Sequence, residues 1–456
     1  MARKSLGGRV GRGSRLARTG AVGIAGIAGN RTRRLLGIET DEMEQHVQNA
    51  EAVAAVLGEM KGAAMKLGQL FSFVDLDLPE DVKGIYHEAL ADLRDAAPPM
   101  DSDDIEAVVA DTYGRPASKV FAEWDPTPLA AASIGQVHPA RLKDGREVVV
   151  KVQYPGVAEA VRSDLANAEM FAPIGRLLSP NQEIEPLLEE LRERLDDELD
   201  YGREAQYQRA FADRYRNHPW IMVPDVVGDM CRSRVLVSDR VHGRRFDEVV
   251  SEGDHDLHQR VGEIIFRYAF GSIARFRLFN GDPHPGNYLV TADEKVAFLD
   301  YGSVKMFTRE RYRSMRRVDD AVARDDRDDF LAAMRDNNFL RDRAKVDEDM
   351  LWEWFRLYTR PIIAEQPFTF SSDFATEVMR STSDPRSPYY SMLRHLNLPP
   401  DYLLLMRIHI GLNSVLGRLN ATNDWAAVHA EYVGHGPPAT ELGQQDSAWF
   451  RSQHGE

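Results

Sequence analysis

Two short segments constrain this chain more than any others: Asp282-Pro283-His284-Pro285-Gly286-Asn287 and Asp300-Tyr301-Gly302. The first places an Asp and an Asn five positions apart on a loop stiffened by two prolines. A short apolar stretch precedes it. After it, Tyr288–Val290 and Val296–Leu299 read as a hairpin across Ala292-Asp293-Glu294-Lys295, which carries the chain to Asp300. Asp, Asn, Pro and Gly also make ordinary turns, and either segment alone would read as one. Together, in this order and spacing, they favour a functional loop over a structural turn.

The rest of the pattern sets the fold class. Helical periodicity runs from Asp41 to Phe73, through Pro79–Leu93 and over residues 101–118. Near Phe121 the character changes. Ser133–Ala140 and Glu147–Gln153 read as strands joined at Lys143-Asp144-Gly145, an Asp-Gly hairpin signal. Val157–Leu178 and Ile184–Tyr215 are long helical patterns, Val235–Val241 a short strand, and Leu257–Phe276 a helix. From Arg309 to about Val433 the pattern is helical, and its apolar stretch Tyr402–Leu419, with Arg407, His409 and Arg418 set into it, reads as a buried helix. Residues 434–456 are polar, with Gly and Pro, and read as a loose tail. Helices, then strands with long helices, then a hairpin, then helices make an α+β protein rather than an alternating βαβ sheet.

The residue types in the two segments suit phosphoryl transfer. Magnesium takes hard oxygen ligands, which Asn287 and Asp300 carry. Asp282 would orient or deprotonate an attacking hydroxyl. The spacing from Asp282 to Asn287, followed by Asp-aromatic-Gly, is that of kinase catalytic loops, with Tyr301 in place of Phe. In Val148-Val149-Val150-Lys151-Val152, Lys151 shares a strand face with Val149, and its ammonium needs anionic partners there. The helix around residues 185–215 offers carboxylates. At about 100° per residue, Asp200 and Glu204 fall on nearly one face and Glu198 roughly opposite Asp200. By itself such a run is equally a solvated face. Where kinases carry Gly-x-Gly, this chain has Ala130-Ala131-Ala132-Ser133, which predicts a stiffer cover for phosphates. Lys66 and Gln69, three apart in Lys66-Leu67-Gly68-Gln69, share a helix face that alone reads as polar surface.

Taken in order, these residues resemble the UbiB/Abc1/ADCK family of atypical kinase-like proteins over roughly residues 60–305, through its KxGQ and ExD signatures. The resemblance implies a bilobal protein-kinase-like fold with a helical N-terminal extension and a mostly helical C-lobe. The chain then divides into a basic disordered arm (1–38), a helical extension with the KxGQ motif (39–118), a kinase-like N-lobe with long helices (119–242), a C-lobe (243–436) and a flexible tail (437–456). The resemblance implies ATP or ADP with Mg2+ as cofactors. Lys151 and Glu204 would form the ion pair that anchors phosphates, Asn287 and Asp300 would hold the metal, and Asp282 would take the catalytic position. Ala130, Ala131, Ala132 and Ser133 would cover the phosphates. Lys66 and Gln69 would meet Glu198 and Asp200 where a protein kinase admits its peptide. The activity so implied is that of an atypical kinase or ATPase supporting isoprenoid-quinone biosynthesis or a related membrane-lipid process.

Charge and composition narrow the partners. Residues 1–38 hold nine Lys or Arg and no acidic residue, leaving 48 basic against 72 acidic side chains in the remainder. An acidic body repels a phosphate backbone, which argues against nucleic acid. The basic arm suits peripheral contact with an anionic membrane or with lipid-biosynthesis proteins. No apolar run approaches the ~18–20 residues of a membrane helix. The single cysteine, Cys231, rules out an intrachain disulfide and suits a reducing compartment. The cytoplasm or its membrane surface fits these features; an Arg-rich, acid-free start also has the composition of an organelle transit peptide. Two alternatives stand beside the atypical kinase: a protein serine/threonine kinase, and a non-enzymatic nucleotide-gated scaffold for a biosynthetic complex.

Overall fold

In the computed structural model the described residues are 101–454, apart from 133, 160, 163–188, 190–191, 194, 341–345, 385, 394 and 435. The basic arm, the Lys66–Gln69 helix, Ser133 and most of the helix expected over 157–178 lie outside them. Contacts divide the chain into two units, and all that follows concerns the larger one, 101–155 with 168–456.

Helices α1 (Ser102–Tyr113) and α2 (Ala117–Val120) lead into strands β1 (Glu123–Trp124), β2 (Ala130–Ala132), β3 (Gly135–Arg141) and β4 (Glu147–Gln153). Helix α3 (Tyr201–Arg214) follows, then β5 (Ile221–Met222), β6 (Val235–Asp239) and β7 (Arg244–Arg245). Helices α4 (Phe246–Glu252) and α5 (His255–Gly271) lead through a π-turn, Ser272–Phe276, to β8 (Leu278–Asn280), β9 (Tyr288–Val290), β10 (Val296–Phe298) and β11 (Val304–Met306). The remainder is helical: α6 (Arg309–Ala323), α7 (Arg327–Asp336), α8 (Glu348–Ile363), α9 (Ser372–Ser383), α10 (Tyr390–Leu393), α11 (Pro400–Arg418), α12 (Trp425–Val433) and α13 (Glu441–His454). One short pair interrupts it, β12 (Phe368–Thr369) against β13 (Thr422–Asn423).

Strands β1, β3, β4 and β6 form one antiparallel sheet, extended by β2 on β3. The turn after β3 closes as its Asp-Gly signal demands: the Gly145 amide donates to the Leu142 carbonyl at 3.0 Å, and Gly145 takes φ 91°. Alternation along β4 buries Val148, Val150 and Val152 completely and leaves Lys151 on the other face. Strands β5, β10, β9 and β7 form the second sheet. The core packs Phe211 of α3 with Ile264 and Tyr268 of α5, Phe298, Tyr301, and Leu412 and Leu416 of α11. Among the described residues no helix is long and apolar enough to cross a membrane.

Two expectations are corrected. The helix expected through 185–215 breaks before α3: Asp200 is extended (φ −120°, ψ 93°) and its carboxylate caps α3 by accepting from the Gly202 amide at 2.9 Å. Asp200 and Glu204 therefore do not share one continuous helix face. The break is held by the sheet, since Gln153 Nε2 donates to the Leu199 carbonyl at 2.8 Å and the Tyr201 amide to Ser233 O at 2.9 Å. Second, the expected flexible tail at 437–456 contains α13, whose Leu442, Asp446 and Trp449 are buried. The apolar stretch before Asp282 is a strand, β8, paired with β11.

Candidate nucleotide site

The β8–β11 pair brings the two polar segments together. With Asn280 opposite Val304, the Asp282 loop and the Asp300 turn leave the same end of a two-stranded ribbon. Gly281 makes this close: its amide donates to Ser303 O at 2.6 Å, and a Cβ there would lie 2.8 Å from that oxygen. Asn280 ties the two turns, donating from Nδ2 to the Asp300 carbonyl at 2.8 Å and accepting the Asp282 amide at 3.4 Å. Sequence reading missed Asn280, which lies just before the motif.

Asn287 donates from Nδ2 to the Asp282 carbonyl (3.1 Å) and to Asp282 Oδ2 (3.3 Å). That engages its amide hydrogens and leaves its carbonyl oxygen for another ligand. Asp300 Oδ1 accepts from the Gly302 amide at 2.9 Å, and Oδ2 faces Lys151 at 3.3 Å. Beneath the loop is a cavity of about 20 Å³, lined by Ser272, Asn280, Asp282, Asn287 and Asp300 on its polar side; that is room for a water molecule.

Lys151 Nζ donates to both oxygens of Glu204, at 2.7 and 3.0 Å. Glu204 is 3% exposed and sits on the buried stripe of α3 with Tyr201, Ala205, Gln208 and Phe211. Burial works against the Lys151 charge, but Asp300 and Glu204 outweigh it and hold the ammonium well above its ordinary range. Burial pushes the Glu204 carboxyl up against the pull of Lys151. The ammonium also lies 5.1 Å from the Tyr201 ring centre. Packing then links this pair to the Asp300 turn: Phe211, two helical turns after Glu204, meets the Tyr301 ring at 5.0 Å, and Tyr268 stacks on Phe298 at 3.6 Å.

The match to known proteins follows this geometry. A family model described as the ABC1 atypical kinase-like domain matches residues 92–334, more than half of the chain. The chain belongs to the ABC1 atypical kinase-like family. Rat "Atypical kinase COQ8B, mitochondrial" is 31% identical over 71% of this chain and 61% of its own length. "Probable protein kinase UbiB" of Marinobacter nauticus is 32% identical over 57% of this chain and 48% of its own length. The chain thus spans about half to three-fifths of the length of these relatives. A solved structure, the complex of Rv3197 with erythromycin from Mycobacterium tuberculosis, is 29% identical, covers 89% of this chain and 98% of that one, and superposes with a TM-score of 0.61.

Within the ABC1 family setting, the structure brings Lys151, Glu204, Asp300, Asn287 and Asp282 into one neighbourhood. Ala130, Ala131 and Ala132 form β2, the hairpin edge beside β3, with Ala132 opposite Gly135. Glu198 lies in the helical turn before the break, and Asp200 is spent on capping α3. Tyr301, which stands where kinase catalytic loops carry Phe, is fully buried, and its hydroxyl donates to Phe298 O at 3.1 Å. The extra oxygen is therefore satisfied inside the core.

The donor set fits magnesium delivered with a nucleotide. Among the described residues no cluster of three or more His, Cys, Asp or Glu could hold a metal alone. One amide oxygen and one carboxylate, completed by phosphate oxygens, are the ligation Mg2+ commonly takes.

Proposed function

We propose that this chain is an atypical kinase or ATPase that binds ATP or ADP with magnesium and serves isoprenoid-quinone biosynthesis or a related membrane-lipid process. The observation that carries this reading is Lys151 held between buried Glu204 and half-buried Asp300, with Asn287 and Asp282 on the adjoining loop. Lys151 is positioned to bind phosphate oxygens while Glu204 keeps its ammonium in place. Asn287 and Asp300 would hold the metal, which neutralises phosphate charge when bound. Asp282 would orient the attacking hydroxyl or water. The family resemblance supplies the pathway, and the basic residues of 1–38 supply a means of meeting an anionic membrane in the cytoplasm or an organelle matrix.

The test is a thermal-shift series with ATP, ADP and AMP, each with and without magnesium, on the intact chain, Lys151→Ala and Asp300→Asn. Stabilisation of about 2.7 kcal/mol is expected at a nucleotide concentration about a hundredfold above Kd. It should depend on magnesium and be lost in both variants; magnesium-independent stabilisation would remove the metal assignment. Phosphate release in the presence of anionic vesicles, abolished in Asp300→Asn, supports turnover. Binding without release under any such condition favours the nucleotide-gated scaffold. Transfer to a peptide would favour the protein serine/threonine kinase. A further reading, a binder of large apolar small molecules, draws on the mycobacterial relative solved with erythromycin. Erythromycin in the same series, stabilising the chain independently of magnesium, would favour it.

A further inference from the structure

The loop carrying Asp282 rests on α11, an element more than a hundred residues further along the chain. Three residues of one α11 face meet it. Leu404 lies beneath Gly281, where a Cβ would come within 3.1 Å of Leu404 Cδ1. Arg407 Nη2 donates to Asp282 Oδ1 at 3.1 Å. Gly411 lies against Pro283, with room for no side chain: a Cβ there would sit 2.7 Å from Pro283 Cγ. Positions 404, 407 and 411 follow the three- and four-residue spacing of a helix face, so the seat is continuous. Arg407 and Asp282 are 22% and 28% exposed, a pair at the rim of the site and not a core ion pair.

From this we infer that Arg407 is a positioning residue for Asp282. The carboxylate is engaged on both oxygens, Oδ1 by the guanidinium and Oδ2 by Asn287 Nδ2 at 3.3 Å. Each bond alone would leave the carboxylate free to rotate about its terminal torsion, which is broad for Asp. Two opposed donors select one orientation and join α11 to the metal-side residue of the loop. Arg407 touches none of Lys151, Glu204 or Asp300 in the contacts described above, so its removal acts on the reacting end of the site and spares the phosphate anchor.

The inference rests on reading Asp282 as the catalytic-position aspartate, and its test separates the two. Arg407→Met, Arg407→Lys and Asp282→Asn are compared by magnesium-nucleotide binding, by phosphate release and by hydrogen exchange of the amides of Gly281, His284 and Asn287. In Arg407→Met, kcat should fall roughly 10- to 100-fold with nucleotide affinity within about twofold of wild type. Loop amides should exchange several-fold faster while α11 stays protected. Arg407→Lys should recover part of both effects, and adding Arg407→Met to Asp282→Asn should cost no further turnover. Unchanged loop exchange in Arg407→Met overturns the inference whatever turnover does. So does a loss of nucleotide affinity in step with kcat. If the wild type binds nucleotide but releases no phosphate, the turnover reading fails and loop exchange alone decides the role of Arg407.

Discussion

Lys151 and Glu204 are coupled by burial as well as by charge. Replacing Lys151 with Met leaves a carboxyl that is 3% exposed without its cation. Breaking a buried pair from one side costs about 3–5 kcal/mol. Chemical denaturation of Lys151→Met should show a loss of that order, and adding Glu204→Gln should restore most of it, since neither buried charge then remains. Tyr301→Phe is the opposite kind of change. It removes a hydroxyl that donates to the Phe298 carbonyl and accepts from Tyr268 Oη at 3.4 Å, and should cost about 1–3 kcal/mol with nucleotide binding intact. At this scale Lys151 stood out as a charge in a valine strand, and Asp282, Asn287 and Asp300 stood out through their joint order and spacing, each being an ordinary turn residue on its own. Asn280 and Arg407 did not. Asn280 looks like any strand-end polar residue, and the partner of Arg407 is far away in sequence.

Among the elements, α3 and α13 diverge most from what the pattern implied. Periodicity does not separate Asp200 as a helix interior from Asp200 as a cap, because an Asp fits the solvent side of either. Asp200→Ala should cost about 1 kcal/mol through loss of the cap, read as a lower midpoint of unfolding. Helix α13 looked like tail because its surroundings are rich in Gly and Pro, yet Asp446 is 1% exposed. It accepts from Arg275 at 2.7 Å, from Tyr432 Oη at 2.7 Å and from His218 Nε2 at 3.1 Å. Trp449 Nε1 donates to the Arg216 carbonyl at 3.0 Å, and its ring stacks on Tyr215 just past the end of α3. Asp446→Ala leaves Arg275 and His218 without their acceptor and should destabilise the fold by about 3 kcal/mol, measured by denaturant titration.

For the whole molecule, His218, His409, His429 and Asp446, with His138 also held down by burial, weaken the fold in acid, and Glu204, pushed up by burial, acts the other way. The Ile221 amide donates to His218 Nδ1 at 3.0 Å, so the ring is neutral and donates from Nε2 to Asp446. Burial holds His218 below its ordinary value of 6.5, and pushes His409 and His429, both edge-on to Phe270, down to about 4. Between about pH 6.5 and 4 the unfolded chain binds protons that the folded one refuses, so stability falls as pH falls through that window. Asp446 is held below its usual range: burial opposes its charge, but His218 and Arg275 outweigh it. Its stabilisation is present above the ordinary carboxylate value and is lost on further acidification, in the same direction. Unfolding midpoints should drop from about pH 7 to about pH 5, and a His409→Gln/His429→Gln double variant should flatten the slope.

By itself the sequence determined the α+β class and the β3–β4 hairpin and singled out Lys151, Asp282, Asn287 and Asp300 as candidates, with Glu204 added by the family resemblance, since strand alternation, Asp-Gly turn chemistry and the Asp–Asn–Asp spacing are all local. Only the tertiary structure decided how those residues meet. The β8–β11 ribbon that joins the Asp282 loop to the Asp300 turn, the break before α3, the α11 seat under Asp282 and the docking of α13 all depend on partners far apart in sequence. Their hydrogen bonds and close approaches leave no periodic trace in any one segment.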